Sequence, residues 1–401
     1  MDAPLNQSKK KILIVNNNLA TGGVQRSLVN LLNHIKEEYE VTLLLFSNSG
    51  SYVQHVPSEV KVIEAAPLLR LLGMSQAQAR NLGYTAYSLR STFALYTKIF
   101  NNHLPISLLI SNQNKLSGFD VAISFLHNAE EKSFYGGCNE FVLQRVQAKL
   151  KVAFIHCDYS NYGGNTPKNQ QTYKKFDKIA AVSEGCRQSF VKAIPELDER
   201  TQCVYNFHNY SEYITKANAN PINYSDGHLN IVTVARLSSE KGILRGIDVL
   251  KRLVKEKYRI RWHIIGDGSQ RNEIEKKILA SDLKEYIILY GNQENPYRFI
   301  KNADLFFLPS FHEAAPMVFN ESKFLGVPII TTNTTSAVEM VKEGFEGTVC
   351  ENNEEDMYKA IKRVLNDPNI IKDYKNYLTA QNYTNVTALE QFRKLIEVSN
   401  L

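Results

Sequence analysis

The stretch KKILIVNNNLATGGVQRSLVNLLNHI, from Lys10 to Ile35, is the clearest indication of the fold. Its first part, Lys10–Asn17, is a short apolar run without polar alternation, which is typical of a strand buried on both faces. The glycine pair Gly22-Gly23 follows. Apolar residues then recur with helical spacing on one face, at Val24, Leu28, Leu31, Leu32 and Ile35. A strand, a glycine turn and an amphipathic helix form the repeating unit of parallel α/β sheets.

The same alternation of strand and helix patterns continues along the chain. Further strands are predicted at 41–46, 120–125, 151–156 and 178–182, and later at 229–236, 260–266, 286–291, 303–310, 328–332 and 347–350. Between the two series, the stretch from Asn206 to His228 is polar and rich in Asn and Tyr, which indicates a linker. The sequence therefore predicts an α/β protein of two doubly wound, parallel-sheet domains, residues 1–207 and 229–401, joined by a linker at 208–228. Because ligands of such sheets bind at the carboxyl ends of the strands, we expect the site in a cleft between the domains.

Composition places the chain among soluble globular enzymes. It has 401 residues, of which 43% are hydrophobic and 22% charged, a size that favours two domains. Its five cysteines are scattered without a CxxC pair, which favours reduced thiols in the cytoplasm over disulfides or a zinc site. The apolar run near the amino terminus is too short for a signal peptide or a membrane span. We therefore expect a soluble cytoplasmic protein.

Residues 65–119 form a basic, aromatic segment of the first domain. The segment lacks Asp and Glu and is rich in Leu, Tyr and Phe; its cations are Arg70, Arg80, Arg90, Lys98 and Lys115. We expect a helical insertion. It could dock on an anionic membrane surface, bind the acceptor of a reaction, or only pack on the first domain. A nucleic-acid partner is disfavoured, because the basic residues form no long stripe on a known module.

Two loops of the first domain could carry chemistry. The glycines Gly22 and Gly23 stand between a buried strand and a helix start, where a backbone can approach a ligand closely and helix N–H groups can meet an anion. His156 ends the strand at 151–156, beside a loop rich in Asn and Gly, and so faces the same edge of the sheet. Its role could be catalytic or structural.

Two loops of the second domain contain candidate phosphate ligands. In VARLSSEKG, Arg236 ends a strand and Lys241 begins a helix, so both cations could converge on a diphosphate and neutralise it as a leaving group. Two solvated surface charges are the alternative. In IIGDGSQRNE, Gly266 and Gly268 resemble the start of a dinucleotide fingerprint, but Arg271 occupies the third glycine position. This loop predicts a tight turn that lines a ligand, not a nicotinamide site.

The stretch HEAAPMVFNESKFLGVP, from His312 to Pro328, contains two carboxylates eight positions apart. Glu313 falls in the loop after the strand at 303–310, with access to the cleft. Glu321 falls one turn into a helix predicted at 317–325. Carboxylates in this arrangement can accept hydrogen bonds from vicinal hydroxyls.

The helix start between these carboxylates predicts an anion site. Pro316 is favoured next to a first helical turn, because the backbone N–H that proline lacks has no hydrogen-bond acceptor there. The N–H groups of Met317 and Val318 are helix-start donors without an intrahelical acceptor. Hydroxyl-binding carboxylates on either side of a phosphate site suit a nucleotide sugar, which has hydroxyls at both ends of a diphosphate.

These motifs resemble a known enzyme family. GGVQRSLVNLL, ARLSSEKG, IIGDG and EAAPMVFNE followed by GVPIITT are similar, in order and spacing over nearly the whole chain, to the retaining glycosyltransferases of the GT-B fold, family four (group 1). The resemblance implies two Rossmann-like domains facing across a cleft. The first would bind the acceptor and the second the nucleotide sugar, and the last helices would pack back toward the first domain.

The resemblance also implies roles for individual residues. Arg236 and Lys241 would hold the donor diphosphate, and Glu313 the hydroxyls of the transferred sugar. Glu321 would bind the ribose, Asn292 would lie near the base, and His156 near the reacting carbon. The implied catalytic residues are His156, Glu313, Arg236 and Lys241. The implied donor-binding residues are Gly22, Gly23, Arg236, Lys241, Gly266, Asn292, Glu313, Pro316, Met317, Val318 and Glu321.

The expected activity follows from these roles. We expect a retaining hexosyltransferase that uses a nucleotide-diphosphate sugar, with UDP favoured, and acts on a lipid-linked or polymeric glycan of a cell-surface polysaccharide such as a capsule, exopolysaccharide or teichoic-type polymer. The chain has no Asp-x-Asp motif, so we expect two cations in place of a divalent metal, and no cofactor. The enzyme would be cytoplasmic and peripheral on the inner face of the cell membrane. The alternative is a non-catalytic accessory subunit of another transferase.

The departures from the family pattern lie beside Glu313. Ala314 and Ala315 stand where the family often has Gly-Phe or Ser-Phe, and Ser322 replaces an alanine. These positions border the donor sugar, so the identity of that sugar stays open. The charged positions are intact, which favours an enzyme over the accessory subunit.

Overall fold

The computed structural model describes residues 9–224 and 227–397, which divide into two units. The first unit runs to Phe207 and resumes at Asn385, and the second spans His208–Thr384. Each contains one parallel sheet with helices, so the predicted class of two Rossmann-like, doubly wound domains is confirmed.

The strands of both sheets are parallel, and the strand order in each sheet reverses once. Within the described residues the strands are β1 (Lys11–Asn16), β2 (Glu40–Leu45), β3 (Lys61–Glu64), β4 (Leu116–Ser124), β5 (Val146–Ile155), β6 (Lys178–Ala181), β7 (Thr201–Cys203), β8 (Leu229–Val234), β9 (Ile260–Ile265), β10 (Ile287–Gly291), β11 (Leu305–Leu308), β12 (Ile329–Thr332) and β13 (Gly347–Cys350). Their orders are β3-β2-β1-β4-β5-β6-β7 and β10-β9-β8-β11-β12-β13. The order reverses between β1 and β4 in the first sheet and between β8 and β11 in the second, which are the positions where such sheets bind ligands.

Helices connect the strands, as parallel pairing requires. They are α1 (Gly23–Ile35), α2 (Pro67–Gly73), α3 (Gln76–Asn81), α4 (Tyr84–Ile99), α5 (His103–Ser111), α6 (Cys138–Arg145), α7 (Pro167–Tyr173), α8 (Glu184–Ala193), α9 (Tyr210–Asn218), α10 (Ile243–Lys255), α11 (Arg271–Ala280), α12 (Tyr297–Ile300), α13 (Met317–Phe324), α14 (Ala337–Met340), α15 (Glu354–Asn366), α16 (Pro368–Thr379) and α17 (Val386–Leu395). Short 3-10 turns occupy Val53–His55, Pro195–Arg200 and Ser239–Lys241. Of the last helices, α17 belongs to the first unit, whereas α15 and α16 belong to the second.

Two strands of the first sheet, β3 and β7, were not predicted. Both lie at the edges of the sheet. The strand β3 is largely exposed and β7 has only three residues. Neither strand therefore has the continuous apolar run that marks a central strand such as β1, whose Ile12 and Val15 are fully buried.

The predicted linker at 208–228 is wrong over its central part. The helix α9 occupies Tyr210–Asn218 and belongs to the second unit. Tyr213 is fully buried, and its ring centroid lies 4.9 Å from that of Tyr297 on α12. The tyrosines that made this stretch look like a polar linker are packing residues, because a tyrosine can bury its ring while its hydroxyl keeps a polar partner.

The segment 65–119 contains the four helices α2–α5 and the start of β4. None of the described helices is both long and apolar enough to cross a membrane. Many large apolar side chains of this segment are nevertheless exposed.

The cysteines of the described residues are free thiols. All five lie within the described residues, and none is in a disulfide. Burial raises the pKa of the Cys138 and Cys157 thiols well above the usual value, so both stay protonated.

Candidate active site

The carboxyl ends of β8 and β11 lie side by side where the order of the second sheet reverses. The loops after them, residues 235–242 and 309–316, therefore meet at the ligand-binding position of a doubly wound sheet. The Phe311 N–H donates to the Glu240 carbonyl at 2.8 Å, which joins the two loops.

An ion pair between Lys241 and Glu313 connects the same two loops. The Lys241 Nζ lies 2.7 Å from the Glu313 Oε1, and the Ser310 hydroxyl donates to that oxygen at 2.6 Å. Glu313 is 7% exposed, so the carboxylate predicted to lie open in a loop is buried and held in place by a cation.

The two predicted phosphate cations, Arg236 and Lys241, differ in their surroundings. The sequence predicts that they converge on one anion, but the ammonium of Lys241 contacts Glu313. Arg236 is exposed and has no ion pair with any described residue. Arg236 is therefore the more accessible cation beside these loops.

Two glycines allow the loops of the second unit to pack closely. Gly242 has φ +64°, and a Cβ there would lie 2.0 Å from the Pro309 carbonyl oxygen. Gly266 has φ +135°, and a Cβ would lie 1.9 Å from the Ala235 carbonyl oxygen. Because only glycine fits both the conformation and the space, these residues determine how near the loops after β9 and β11 come to the loop after β8.

Arg245, which sequence reasoning missed, holds the loop after β11. It lies on α10 and is 5% exposed. Its Nε donates to the Pro309 carbonyl at 2.8 Å and its Nη2 to the Ser310 carbonyl at 2.7 Å, while Cζ lies 3.7 Å from the centroid of the Phe311 ring. Burial lowers the pKa of this guanidinium below its usual value. Arg245 could have been found from the sequence, because it is an arginine among apolar residues on the buried face of an amphipathic helix.

The helix α13 begins directly after Pro316, which serves as its N-cap residue. Met317 and Val318 are its first two residues, and their N–H groups have no acceptor within the helix. Glu321 is its fifth residue and is 1% exposed. The structure thus places Glu313 in the loop before α13 and Glu321 inside the helix.

Asn292 does not lie beside the ion pair of Lys241 and Glu313. It is exposed and follows β10, the edge strand of the second sheet. With neighbouring strands about 4.8 Å apart, the line of β10 lies roughly 10 Å from that of β8. Any contact of Asn292 with a ligand bound at β8 would therefore be made to a distant part of that ligand.

Side chains that bind metals do not gather at these loops. Over residues 9–224 and 227–397, no three His, Cys, Asp or Glu side chains are arranged to hold a metal ion. The groups of the second unit placed to meet an anion are Arg236, Lys241 and the first N–H groups of α13.

In the first unit, Gly22 and Gly23 lie between β1 and α1. Gly22 has φ 171°, an extended conformation that any residue adopts. A Cβ at Gly22 would meet only the Gln25 side chain, 2.7 Å from its Oε1. The backbone fold therefore does not require glycine at position 22.

His156 directly follows β5 and is enclosed by aromatic rings. Its ring centroid lies 4.7 Å from that of Phe125 and 5.7 Å from that of Phe154. Its Nε2 is buried without a hydrogen-bond partner among the described residues. Burial and, to a lesser extent, the nearby His127 lower the pKa of His156 to about 3. A hydrogen bond with the Phe125 backbone acts in the opposite direction but is the weakest of the three effects. His156 is therefore a neutral imidazole at physiological pH.

His127 is a second histidine that the sequence reasoning missed. It follows β4, and its ring meets the Tyr162 ring edge-on with centroids 5.5 Å apart. Burial lowers the pKa of His127 to about 4. A weaker form of the signal that singled out His156 was available for His127, which follows a buried strand after two further residues.

We expect Arg245→Lys to lower the free energy of unfolding of the second unit by about 1–3 kcal/mol. Lysine lacks the paired donors of the guanidinium, so a buried carbonyl at Pro309 or Ser310 loses its partner. Trp262, the only tryptophan, is fully buried in this unit, so its fluorescence during urea unfolding measures the effect.

The matched control is Arg252→Lys on the same helix. Arg252 pairs with Glu355 and its side chain is 48% exposed, so we expect a loss below about 1 kcal/mol. Equal losses in the two variants would contradict the role given to Arg245.

We expect His127 and His156, both partly buried, to make the first unit less stable as pH falls below about 6.5. Their pKa values are about 3 and 4 in the fold and about 6.5 when exposed, so the unfolded chain binds more protons in this range. His156→Gln should therefore lose less stability than wild type between pH 6.5 and pH 4.5, measured by circular dichroism in urea. Parallel losses in both proteins would refute the assignment of a neutral imidazole.

Comparison with known proteins supports the fold and identifies similar enzymes. Residues 216–381 match the family model described as Glycosyl transferases group 1. A Campylobacter jejuni enzyme, named as the GalNAc-alpha-(1->4)-GalNAc-alpha-(1->3)-diNAcBac-PP-undecaprenol alpha-1,4-N-acetyl-D-galactosaminyltransferase, is 24% identical over 91% of this chain and 92% of its own. The capsular polysaccharide biosynthesis glycosyltransferase CapM of Staphylococcus aureus is 29% identical over 34% of this chain and 37% of its own.

A solved structure shows the same fold. The crystal structure of Anabaena HepE in complex with UDP and glucose superposes with a TM-score of 0.68 at 16% identity, covering 96% of this chain and 98% of that protein. The resemblance carried by the sequence motifs is thereby confirmed. Residues 216–381 thus resemble the glycosyl transferases group 1 family, and the two units of the chain have the GT-B fold.

Proposed function

We propose that this chain is a retaining hexosyltransferase that moves a hexose from a UDP-sugar to a lipid-linked or polymeric glycan in cell-surface polysaccharide biosynthesis. The observation that carries the proposal is the ion pair of Lys241 and Glu313 at the reversal of the second sheet. It places a cation for phosphate and a carboxylate for sugar hydroxyls on adjoining loops.

The two oxygens of Glu313 have different surroundings. Both contacts described above, from Lys241 and Ser310, reach Oε1. Within the described residues, Oε2 is left to accept from hydroxyls of the transferred sugar. Glu321, one turn into α13, is the proposed partner of the ribose.

Arg236 and Lys241 would stabilise the departing diphosphate. As the bond from the anomeric carbon to the phosphate oxygen breaks, negative charge grows on the diphosphate, and preformed cations and helix N–H groups lower the energy of that state. These two cations would act in place of a divalent metal. For retention, the acceptor hydroxyl attacks from the face that the diphosphate leaves, and a phosphate oxygen takes its proton.

The first unit would supply hydrogen bonds near the reacting carbon. A neutral His156 can exchange a hydrogen bond with the donor sugar without carrying charge. The glycine at position 22, which the backbone fold does not require, would let the α1 start approach the donor or acceptor closely.

The acceptor and pathway rest on the relatives. The name of the Campylobacter jejuni enzyme describes a glycan on PP-undecaprenol, and CapM is named for capsular polysaccharide. By similarity, we propose a lipid-linked or polymeric glycan acceptor here, used at the inner face of the cell membrane.

The segment 65–119 is the proposed membrane contact. Among the described residues, nine of the sixteen exposed large apolar side chains lie within it: Leu68, Leu82, Tyr84, Leu89, Leu95, Ile99, Phe100, Leu104 and Leu108. Exposed Arg80 and Lys98 lie in the same segment, a combination that suits anionic lipid head groups. Arg90 does not contribute, because it donates to the Met74 carbonyl at 2.8 Å and to the Gln76 amide oxygen at 2.6 Å.

We expect Lys241→Met and Arg236→Met each to weaken UDP-sugar binding by about tenfold to a hundredfold. Each loses a charge-assisted contact with the diphosphate, of about 1.5–3 kcal/mol. A thermal-shift panel of nucleotide sugars on the wild type identifies the donor first, since a bound donor raises apparent stability. Titration of that donor then measures the variants, with exposed Lys251→Met as control.

The outcomes of this panel separate the alternatives. Unchanged affinity in Lys241→Met would refute the proposed donor site. Loss of binding and transfer in EDTA, with recovery in magnesium, would refute the two-cation mechanism. Donor binding without transfer to any glycan acceptor would indicate the accessory subunit instead.

We expect the wild-type protein to float with liposomes that contain anionic lipid. Arg80→Glu/Lys98→Glu should reduce the floated fraction severalfold, because each lysine or arginine near such a surface contributes about 1 kcal/mol. Lys276→Glu/Lys284→Glu, exposed in the second unit, makes the same charge change and should float like wild type. Equal flotation of both double variants would overturn the assignment of this surface.

A further inference from the structure

A pocket of about 280 Å³ opens between helices of the first unit, outside the residues given roles so far. Three helices line it, α5, α6 and α7, together with the loop between β4 and α6. Its size is near the lower end of the roughly 300–1,000 Å³ found for small-ligand sites. The pocket can therefore hold a group about the size of one sugar ring.

One wall of the pocket carries acceptor oxygens. The Asn128 amide donates to the Glu140 Oε1 and to the Asn169 Oδ1, each at 3.0 Å. The Glu140 Oε2 and the Asn128 Oδ1 are buried and have no hydrogen-bond partner within the described part of the chain. Buried acceptors without partners are costly and uncommon, so two on neighbouring side chains of one pocket indicate a missing donor.

Two lysines line the same pocket. Lys168 and Lys175 follow each other at helical spacing along and just beyond α7. Within residues 9–224 and 227–397, neither ammonium has a carboxylate within ion-pair distance. Burial raises the pKa of the Glu140 carboxyl, and the charges of Lys168 and Lys175 partly oppose that rise. The wall thus combines hydroxyl acceptors with cations.

The pocket lies next to the histidines of the first unit. Asn128 directly follows His127, and His127 lies near enough to His156 to help lower the pKa of His156. The loop that contains both residues follows β4, the strand at which the order of the first sheet reverses. A ligand in the pocket would therefore lie near the edge of the sheet where His156 is placed.

A purely structural role explains only part of this arrangement. Glu140 lies in the first turn of α6, where a carboxylate favours the helix start. Stabilising the start of α6 does not require an Asn128 Oδ1 without a partner, nor two lysines without ion pairs. A bound ligand accounts for all four groups together.

We propose that this pocket binds one sugar ring of the acceptor, and that this ring carries an anionic group. Hydroxyls of the ring would donate to the Glu140 Oε2 and the Asn128 Oδ1, and Lys168 and Lys175 would meet the anion. The inference rests on the proposed function, since it assigns a subsite for the glycan acceptor. The anion can be the phosphate of a lipid-linked sugar or the carboxylate of an acidic sugar, and the test separates these sources.

The test measures binding of soluble probes to the full-length chain by titration and saturation-transfer NMR. The probes are glucose 1-phosphate, methyl glucuronide, methyl glucoside and inorganic phosphate, with excess UDP present to compete at the donor site. We expect glucose 1-phosphate or methyl glucuronide to bind, and methyl glucoside and phosphate to bind at least tenfold more weakly. Glucose 1-phosphate as the tighter probe assigns a lipid-linked sugar, and methyl glucuronide assigns an acidic one.

Matched variants locate the binding. Lys168→Ala and Lys175→Ala should each weaken the better probe about tenfold, whereas Lys174→Ala, which pairs with Glu196 at 2.7 Å, should not. Ser107→Trp should block the pocket from its exposed rim on α5. Leu108→Trp, also exposed on α5, places the same bulk outside the pocket.

The failures of the two proposals are distinguishable. Absence of binding by both anionic sugars, equal binding of inorganic phosphate, or unchanged binding in Lys168→Ala and Ser107→Trp would overturn the pocket proposal. These outcomes leave UDP-sugar binding to the second unit intact. Sugar binding in the pocket of a protein that binds no nucleotide sugar would instead overturn the proposed function.

Discussion

The close approach of two loops, after β8 and after β11, is the constraint on which the site depends. Parallel strands that are neighbours at a reversal bring their carboxyl ends together, so the loops meet whatever their sequence. Gly242 then permits an approach that any Cβ would block at the Pro309 carbonyl. Arg245 satisfies the carbonyls exposed by that approach, and Lys241 and Glu313 join the loops through charge. The proposed donor site is built on this junction.

The junction makes Glu313 both a structural and a chemical residue. A buried carboxylate is stable only with a cation and hydrogen bonds, and here one of its oxygens receives both. Holding one oxygen fixes the direction of the other, which suits a group that must recognise hydroxyls. The same pair also holds the ammonium of Lys241 at the loop after β11.

The first unit has a different electrostatic character. His127 and His156 sit among aromatic rings at neighbouring strand ends, and burial keeps both imidazoles neutral. Neutral groups there can form hydrogen bonds without adding charge to their surroundings. Cations lie instead at the loops of the second unit, at Arg236 and Lys241, and in the first unit at Lys168 and Lys175 beside the pocket.

Sequence patterns alone were sufficient for the two doubly wound domains, the central strands and the loops that hold Lys241, Glu313 and Gly266, because continuous apolar runs and glycine turns are local signals. Edge strands β3 and β7 and the helix α9 lacked such signals, since edge strands are exposed and the α9 tyrosines resemble a linker until they are packed. Only the tertiary structure paired Lys241 with Glu313, buried Arg245 under the loop after β11 and lowered the histidine pKa values. Those features depend on which residues distant in sequence come into contact, and on how much water they lose when they do.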